Sequence, residues 1–263
     1  MNYETINLYI DKSVATITLS RPEVRNALNS KVISELTDAF TLLNEDAQVR
    51  CIVMTGEGQS FCSGADLTWL GEIADYNYEQ NFAESKKLVE LLYLIHDHSK
   101  PVIAKVNGSA VGGGVGLMLV SDIIFVEENA FFGLSEVAIG IVPAAIVPLV
   151  LARIGETKAR ELLITGERIN SKQALEMGLI NYVVNRNNLN SEVQNKIDFI
   201  LKNGPLAVKT VKEMMTLLRN SSRDESIVYI SDVIAKLRTG EEGREGMKAF
   251  LEKREPSWRK LPE

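Results

Sequence analysis

Cysteine and histidine are nearly missing from this chain, which has two of each among 263 residues. Cys51 and Cys62 are too few for a disulfide framework and lack metal-site spacing, so both read as packing residues in a reducing compartment. His96 and His98 stand at a helix end beside Asp97 and Lys100. Side chains at i and i+2 point apart on a helix, so a surface role is expected for both and no metal site is indicated. Positive charge is not in surplus either. A formal net charge of −6 argues against broad nucleic-acid binding, and no DNA partner is expected. No apolar run is long enough to cross a membrane: the most apolar window, Val137 to Ala152, is interrupted by Pro143 and Pro148. The opening MNYETINLYIDKS has no basic region followed by an apolar run, so no secretory signal is read and a cytoplasmic location is the expectation. What remains is an apolar content of 45%, ordinary for a globular chain with one large core.

Glycine is where the chain concentrates its information. Asn107 to Asp122, NGSAVGGGVGLMLVSD, joins the apolar run Val102-Ile103-Ala104 to four glycines, Gly112, Gly113, Gly114 and Gly116. The pattern predicts a strand ending in a tight turn and a helix start, where backbone N–H groups are left free. A phosphate loop is excluded, because Gly114 and Val115 stand where Lys and Ser/Thr are required after Gly108 and Gly113. A dinucleotide fingerprint fails as well, because position 117 is Leu. Two readings are left: close packing of helix on strand, or an oxyanion hole whose second donor lies elsewhere.

Around this stretch the sequence alternates strand and helix. Asn7 to Leu19 reads as a hairpin turning at Asp11-Lys12. A helix capped by Asn29 or Ser30 follows, with Val32, Ile33, Leu36, Phe40 and Leu43 on one face. Cys51 to Thr55 has the composition of a strand buried on both faces. Gly56 to Leu67 reads as a glycine-rich turn, and Tyr78 to His96 as a helix. Strands are expected at Ile123 to Val126, Ala130 to Gly133 and Ile180 to Val184, with helices at Ala152 to Gly166 and Ala174 to Met177. Beyond Asn185 only helical segments appear: Leu189 to Lys202, Leu206 to Arg219, Asp224 to Lys236 and Glu241 to Arg254, the middle two separated at Asn220-Ser221. The expectation is an α/β core over residues 1–188 and a helical part over 189–263.

Ser63-Gly64-Ala65-Asp66 and Gly112-Gly113-Gly114 form a pair of glycine turns after buried strands. With Arg21-Pro22, Asn26-Ala27-Leu28-Asn29, Phe61 to Leu67, Asn107-Gly108 and the late Ala249 to Arg254, they resemble the crotonase (enoyl-CoA hydratase/isomerase) superfamily over essentially the whole chain. The resemblance implies a crotonase-like spiral of ββα turns, with the C-terminal helices forming a trimerisation region and the protein a homotrimer or dimer of trimers. It also implies acyl-CoA thioester substrates, so that coenzyme A arrives within the substrate and no separate cofactor is expected. By position, the backbone N–H groups of Ala65 and Gly113 would hold the thioester oxygen. Two fixed donors there stabilise a developing enolate more in the transition state than in the ground state. Ser63, Asp66 and Leu67 would line the substrate path, Arg25 would meet the CoA phosphates, and Ala27 would offer a backbone contact to adenine. Phe250 and Lys253 match an aromatic and a basic residue placed beside a neighbouring subunit's acyl-CoA, although by composition Phe250 reads as buried and Lys253 equally as a solvated lysine.

Hydratases of this superfamily carry two catalytic glutamates twenty positions apart. Here the first position is Gly116 and the second is Glu136, so one carboxylate is missing. A single carboxylate suits a Δ3,Δ2-enoyl-CoA isomerase, since one group can take a proton at C2 and return it at C4. The stretch Gly140-Ile141-Val142-Pro143-Ala144-Ala145-Ile146 instead resembles bacterial hydratases of branched acyl-CoAs, of the methylglutaconyl-CoA and carboxygeranoyl-CoA type. Such enzymes belong to fatty acid or branched-chain amino acid catabolism. That resemblance makes Glu136 the base and gives the Ala144 N–H a water to hold. Hydratase is the favoured expectation and isomerase the alternative. A non-catalytic acyl-CoA or RNA-binding role ranks below both, against Glu136 and the negative charge.

Overall fold

The computed structural model describes residues 3–219 and 221–259. The separator expected at Asn220 and the extreme ends of both expected regions, residues 1–2 and 260–263, lie outside them. The chain opens with a hairpin of β1 (Ile6–Asp11) and β2 (Val14–Leu19). Ala15, Ile17 and Leu19 alternate inward, as a strand with one covered face requires. The Asn29 side chain accepts from the Val32 N–H at 3.0 Å and starts α1 (Ser30–Glu45), whose Val32, Ile33, Leu36, Phe40 and Leu43 are buried.

The chain then repeats one unit. A strand is followed by a second short strand and by helix: β3 (Cys51–Gly56), β4 (Ser60–Cys62), α2 (Leu67–Ala74) and α3 (Tyr78–His96); then β5 (Val102–Val106), β6 (Ser109–Val111) and α4 (Gly113–Leu119); then β7 (Ile123–Glu127), β8 (Phe131–Gly133) and α5 (Val147–Thr165). β9 (Ile169–Asn170), α6 (Ser171–Glu176) and β10 (Tyr182–Val184) complete the winding. First strands of each unit join a six-stranded sheet in the order β1-β2-β3-β5-β7-β10, and second strands join a four-stranded sheet in the order β4-β6-β8-β9. All neighbours from β2 to β10 in the large sheet run parallel, as do β4, β6 and β8. The fold is thus an α/β spiral of ββα turns.

The large sheet is covered on both faces, which is why β3 reads as an unbroken apolar run. Ile52 and Met54 face the main core with Leu36, Phe40, Leu91 and Ile95. Cys51 and Val53 face Leu189, Val193 and Ile197 of α7 (Leu189–Leu201) on the other side. Each of these α7 side chains contributes about 1.5–3 kcal/mol of burial. Next, α8 (Pro205–Leu218) is tied to the core through Lys212, whose Nζ lies 2.7 Å from Asp122 Oδ2 and 3.2 Å from the Lys100 carbonyl. α9 (Arg223–Thr239) and α10 (Glu241–Leu251) end the helical part and leave Val228, Phe250 and Leu251 exposed. Among the described residues no helix is long and apolar enough to cross a membrane.

Several expectations need correction. The expected turn from Gly56 to Leu67 contains β4, α2 follows it where no element was expected, and α5 begins at Val147, not Ala152. Pro148 is tolerated there because it sits in the first turn, where its missing N–H breaks no helical bond. His98 is not at the surface: it is 2% exposed. Its Nδ1 accepts the Lys100 N–H at 3.1 Å and its Nε2 donates to the Phe40 carbonyl, also at 3.1 Å. Burial pushes the imidazole pKa down to about 4, so the ring is a neutral core hydrogen-bonding group.

Candidate active site

Strands β4 and β6 pair in parallel, Ser60 with Ser109 and Cys62 with Ala110, so the turns that follow them lie side by side. Both turns use left-handed glycines, Gly64 at φ 90° and Gly112 at φ 50°. Space forbids a side chain at Gly64, and one at Gly112 would have to push the Glu136 carboxylate aside. A Cβ on Gly64 would stand 2.9 Å from the Val111 carbonyl oxygen, and one on Gly112 would stand 2.9 Å from Glu136 Oε1. The close-packing reading of the glycines therefore holds, and it places a carboxylate against the second turn.

The backbone around Ala65 is directed by a single parallel bridge to Leu28. The Leu28 N–H donates to the Gly64 carbonyl at 2.7 Å and the Asp66 N–H to the Leu28 carbonyl at 2.8 Å. Successive N–H groups of an extended chain alternate sides, so the Ala65 N–H stands on the edge away from that bridge. Gly113 is the first residue of α4, where the helix provides no acceptor for the N–H. Both residues line one cleft of about 400 Å³ that also includes Ser63, Trp69, Glu84, Glu136 and Ala144.

Glu136 opens a short 3-10 turn directly after β8. Its Oε2 is buried with no hydrogen-bond partner, and desolvation raises its pKa above the ordinary carboxylate value. A half-buried carboxyl that is neither ion-paired nor hydrogen-bonded through Oε2 is poised to exchange protons. The position of the missing glutamate is filled by hydrocarbon. A Cβ on Gly116 would meet Ile146 Cγ1 at 3.2 Å and Leu92 Cδ1 at 3.4 Å. The sequence gap thus corresponds to an apolar wall, with no second carboxylate at that point.

Glu84 is a second carboxylate of the cleft that the sequence did not reveal. Hydrogen bonds from Lys87, at 2.5 Å, and from Ser30, at 2.7 Å, hold it below the usual carboxylate range. Only its spacing to Lys87 on α3 hinted at the pair. Trp69 was also missed, because α2 itself was not recognised.

The remaining expected site residues take different places. Arg25 is exposed with φ 54°, and its carbonyl accepts the Ser63 N–H at 3.0 Å, so Arg25 and Ser63 flank the first turn. The Ser63 hydroxyl donates to the Val24 carbonyl. Asp66 is 7% exposed. Its carboxylate accepts from Arg21 Nη2 at 2.6 Å and caps α2 at the Thr68 N–H. Burial pushes its pKa up, but these bonds outweigh that and hold it low. Arg21 also donates to the buried Ala27 carbonyl at 2.7 Å, so Asp66 and Ala27 are parts of the turn's scaffold. Beside them Leu67 is 83% exposed. Ala144 departs from expectation: its N–H donates to the Val142 carbonyl at 2.8 Å and is not free to hold a water. Phe250 and Lys253 do not line the cleft of their own chain, and Phe250, read as buried, is 83% exposed.

The ββα spiral thus brings the Ala65 and Gly113 backbone and the half-buried Glu136 carboxyl to one largely apolar cleft. The sequence profile of the enoyl-CoA hydratase/isomerase family matches residues 9–261, and the chain belongs to that enzyme family. It is 34% identical over 260 residues to the crotonyl-CoA hydratase of Syntrophomonas wolfei, covering 98% of this chain and 99% of that protein. Among solved structures, an enoyl-CoA hydratase from Shewanella pealeana superposes with a TM-score of 0.94 at 33% identity, covering 97% of this chain and 96% of that one. Pseudomonas aeruginosa AtuE gives 0.95 at 30% identity, covering 98% and 100%.

Proposed function

We propose that this protein is an enoyl-CoA hydratase that adds water across the C2=C3 bond of a 2-enoyl-CoA, with Glu136 as its proton-transfer group. The observation that carries the reading is the Glu136 carboxyl, raised in pKa and unpartnered at Oε2, packed against the turn that presents Gly113. The N–H groups of Ala65 and Gly113 bind the thioester oxygen. Glu136 removes a proton from water, the oxygen bonds to C3, and the C2=C3 electrons move toward the thioester as an enolate. The same carboxyl then gives the proton to C2, so the elements of one water molecule are added and Glu136 returns to its starting state. Loss of either backbone donor would cost about 3–4 kcal/mol of transition-state stabilisation.

Ser63 and Leu67 line the approach to the cleft, and Arg25 meets the CoA phosphates at its exposed rim. Phe250 and Lys253 serve a neighbouring subunit's acyl-CoA, in a homotrimer or dimer of trimers that covers the apolar side chains exposed on α9 and α10. A branched acyl group fits the Ile141 to Ile146 segment's likeness to hydratases of branched substrates. The reading places the enzyme in the cytoplasm, in acyl-CoA catabolism.

One observation favours a second reading. The apolar wall at Gly116 leaves Glu136 without the usual partner, which suits a Δ3,Δ2-enoyl-CoA isomerase equally in its proton inventory. Incubation with crotonyl-CoA, 3-methylglutaconyl-CoA and a 3-enoyl-CoA separates the two. Loss of enoyl absorbance with 3-hydroxyacyl product is expected from a 2-enoyl substrate. Rearrangement of the 3-enoyl thioester with no hydration of either 2-enoyl substrate would select the isomerase.

A further inference from the structure

A second cavity lies directly behind the cleft. It has a volume of about 370 Å³, against about 400 Å³ for the cleft, and the proposed reaction makes no use of it. Two elements run from one space to the other. On α3, Glu84, Ser85 and Leu88 line the cleft, while Tyr93 and His96 line the second cavity. On the facing segment Pro143 and Ala144 line the cleft, while Pro148, Leu149 and Ala152 line the second cavity. Among the described residues, those shared by both linings are Val89, Leu92 and Ala145, where each element passes from one space to the other. A helix rises about 16 Å from Ser85 to His96, so the two spaces follow one another along α3.

Leu92 is the member of the three that closes the passage. Ala145 has only a Cβ to offer and Val89 is half-buried, whereas Leu92 is 3% exposed and packed into the main core. Its Cδ1 also bounds the space beside Gly116, 3.4 Å from where a Cβ would stand. The place of the missing glutamate and the closed end of the cleft therefore meet at one leucine. Beyond it the second cavity has apolar cover from Leu119, Pro148 and Leu149, alongside the charged Asp122, Arg153 and Arg219.

We infer that Leu92 is the specificity-determining floor of the acyl cleft: it keeps the acyl chain out of the second cavity, so that short or branched acyl groups are preferred over long straight ones. This rests on the reading that the cleft holds the acyl part of an enoyl-CoA, and adds to it a limit on length. Each methylene that gains apolar cover tightens binding about fourfold. A straight chain should therefore stop gaining affinity at the length where it meets Leu92.

The test is calorimetric titration with saturated straight-chain acyl-CoAs from butanoyl to hexadecanoyl. Wild type is expected to gain affinity with added methylenes and then level off. Leu92→Ala should go on gaining past that length and bind the longest chains at least about tenfold more tightly than wild type. Ala152 is exposed and lines the second cavity but not the cleft. Ala152→Phe should leave butanoyl-CoA binding unchanged and, combined with Leu92→Ala, remove the gain for long chains, a reversal that mere loosening of the core would not show. An even gain up to hexadecanoyl-CoA in wild type, a Leu92→Ala series that levels off where wild type does, or a gain that survives Ala152→Phe overturns the inference. If Leu92→Ala does not fold, Leu92→Val trims the same side chain by one carbon and should level off at a longer chain than wild type; an unmoved levelling-off point contradicts the floor. Binding of saturated thioesters needs no turnover. Wild type that isomerises a 3-enoyl-CoA and hydrates no 2-enoyl-CoA therefore overturns the hydratase reading, while the affinity series still decides the floor.

Discussion

The two walls of the cleft are built by different means. The turn wall, Gly64-Ala65 and Gly112-Gly113, is backbone: left-handed glycines at Gly64 and Gly112, and at Gly64 a backbone contact that leaves no room for an added carbon. The facing wall, from Ile139 to Ile146 with α2 and α3, is made of side chains, and Ile139, Ile141 and Val142 are exposed at its lip. The difference separates two tasks. Stabilising an enolate needs donors that do not move, which a closely packed backbone supplies. Selecting an acyl group needs surfaces that can be changed one side chain at a time, and exposed apolar residues can be changed with little effect on the fold.

Substitutions can break that division, beginning at Glu136, the side chain packed against the turn wall. Glu136→Gln should lower kcat by about 100- to 10,000-fold with acyl-CoA affinity nearly retained, measured by steady-state kinetics and calorimetric titration. Gly116→Glu should not add a working second carboxylate. It would drive an ionisable group between Ile146 and Leu92 and cost about 3 kcal/mol of stability, seen as a lowered midpoint in urea unfolding. Gly112→Ala should cost about 1–3 kcal/mol through its left-handed backbone and lower kcat about tenfold to 100-fold by displacing Glu136.

Smaller effects follow from the raised pKa of Glu136. In the proposed mechanism the base form activates water, so kcat/KM should rise with pH through a midpoint above the ordinary value of 4.5. A carboxyl whose folded pKa is raised favours the folded state at low pH and loses that contribution as pH rises through the folded value. Glu136→Gln should therefore match wild-type stability in acid and exceed it at neutral pH, by less than about 1 kcal/mol because the group is partly solvated. Smallest of all, Ile141→Ala or Val142→Ala should leave stability within about 0.5 kcal/mol while altering KM for long acyl chains, read from a chain-length series.

The sequence revealed the large sheet and the turn wall because both follow strong local rules. Apolar runs such as Cys51 to Thr55 mark strands covered on both faces, and a Gly-Gly-Gly turn marks a place where backbone must approach backbone. Of the small sheet only β8 was legible, within the strand expected at Ala130 to Gly133; its other strands are two or three residues long and carry no periodicity. His98 was misread because its burial comes from Phe40, 58 positions away, a contact no local pattern reports. Ala144 was misjudged for a similar reason: homology of position does not fix which way an N–H is spent, and Val142 takes it. At Gly116 the sequence shows only that no carboxylate stands there; that Ile146 and Leu92 close over the place comes from the fold.

In the proposed hydratase Glu136 alone moves the proton for water addition. The most direct test is turnover of a 2-enoyl-CoA in H2(18)O, followed by mass spectrometry of the product. Wild type is predicted to yield 3-hydroxyacyl-CoA carrying one 18O, and Glu136→Gln to yield almost none. Label incorporated at near wild-type rate by Glu136→Gln, or an unlabelled double-bond isomer as the sole product of wild type, would contradict it.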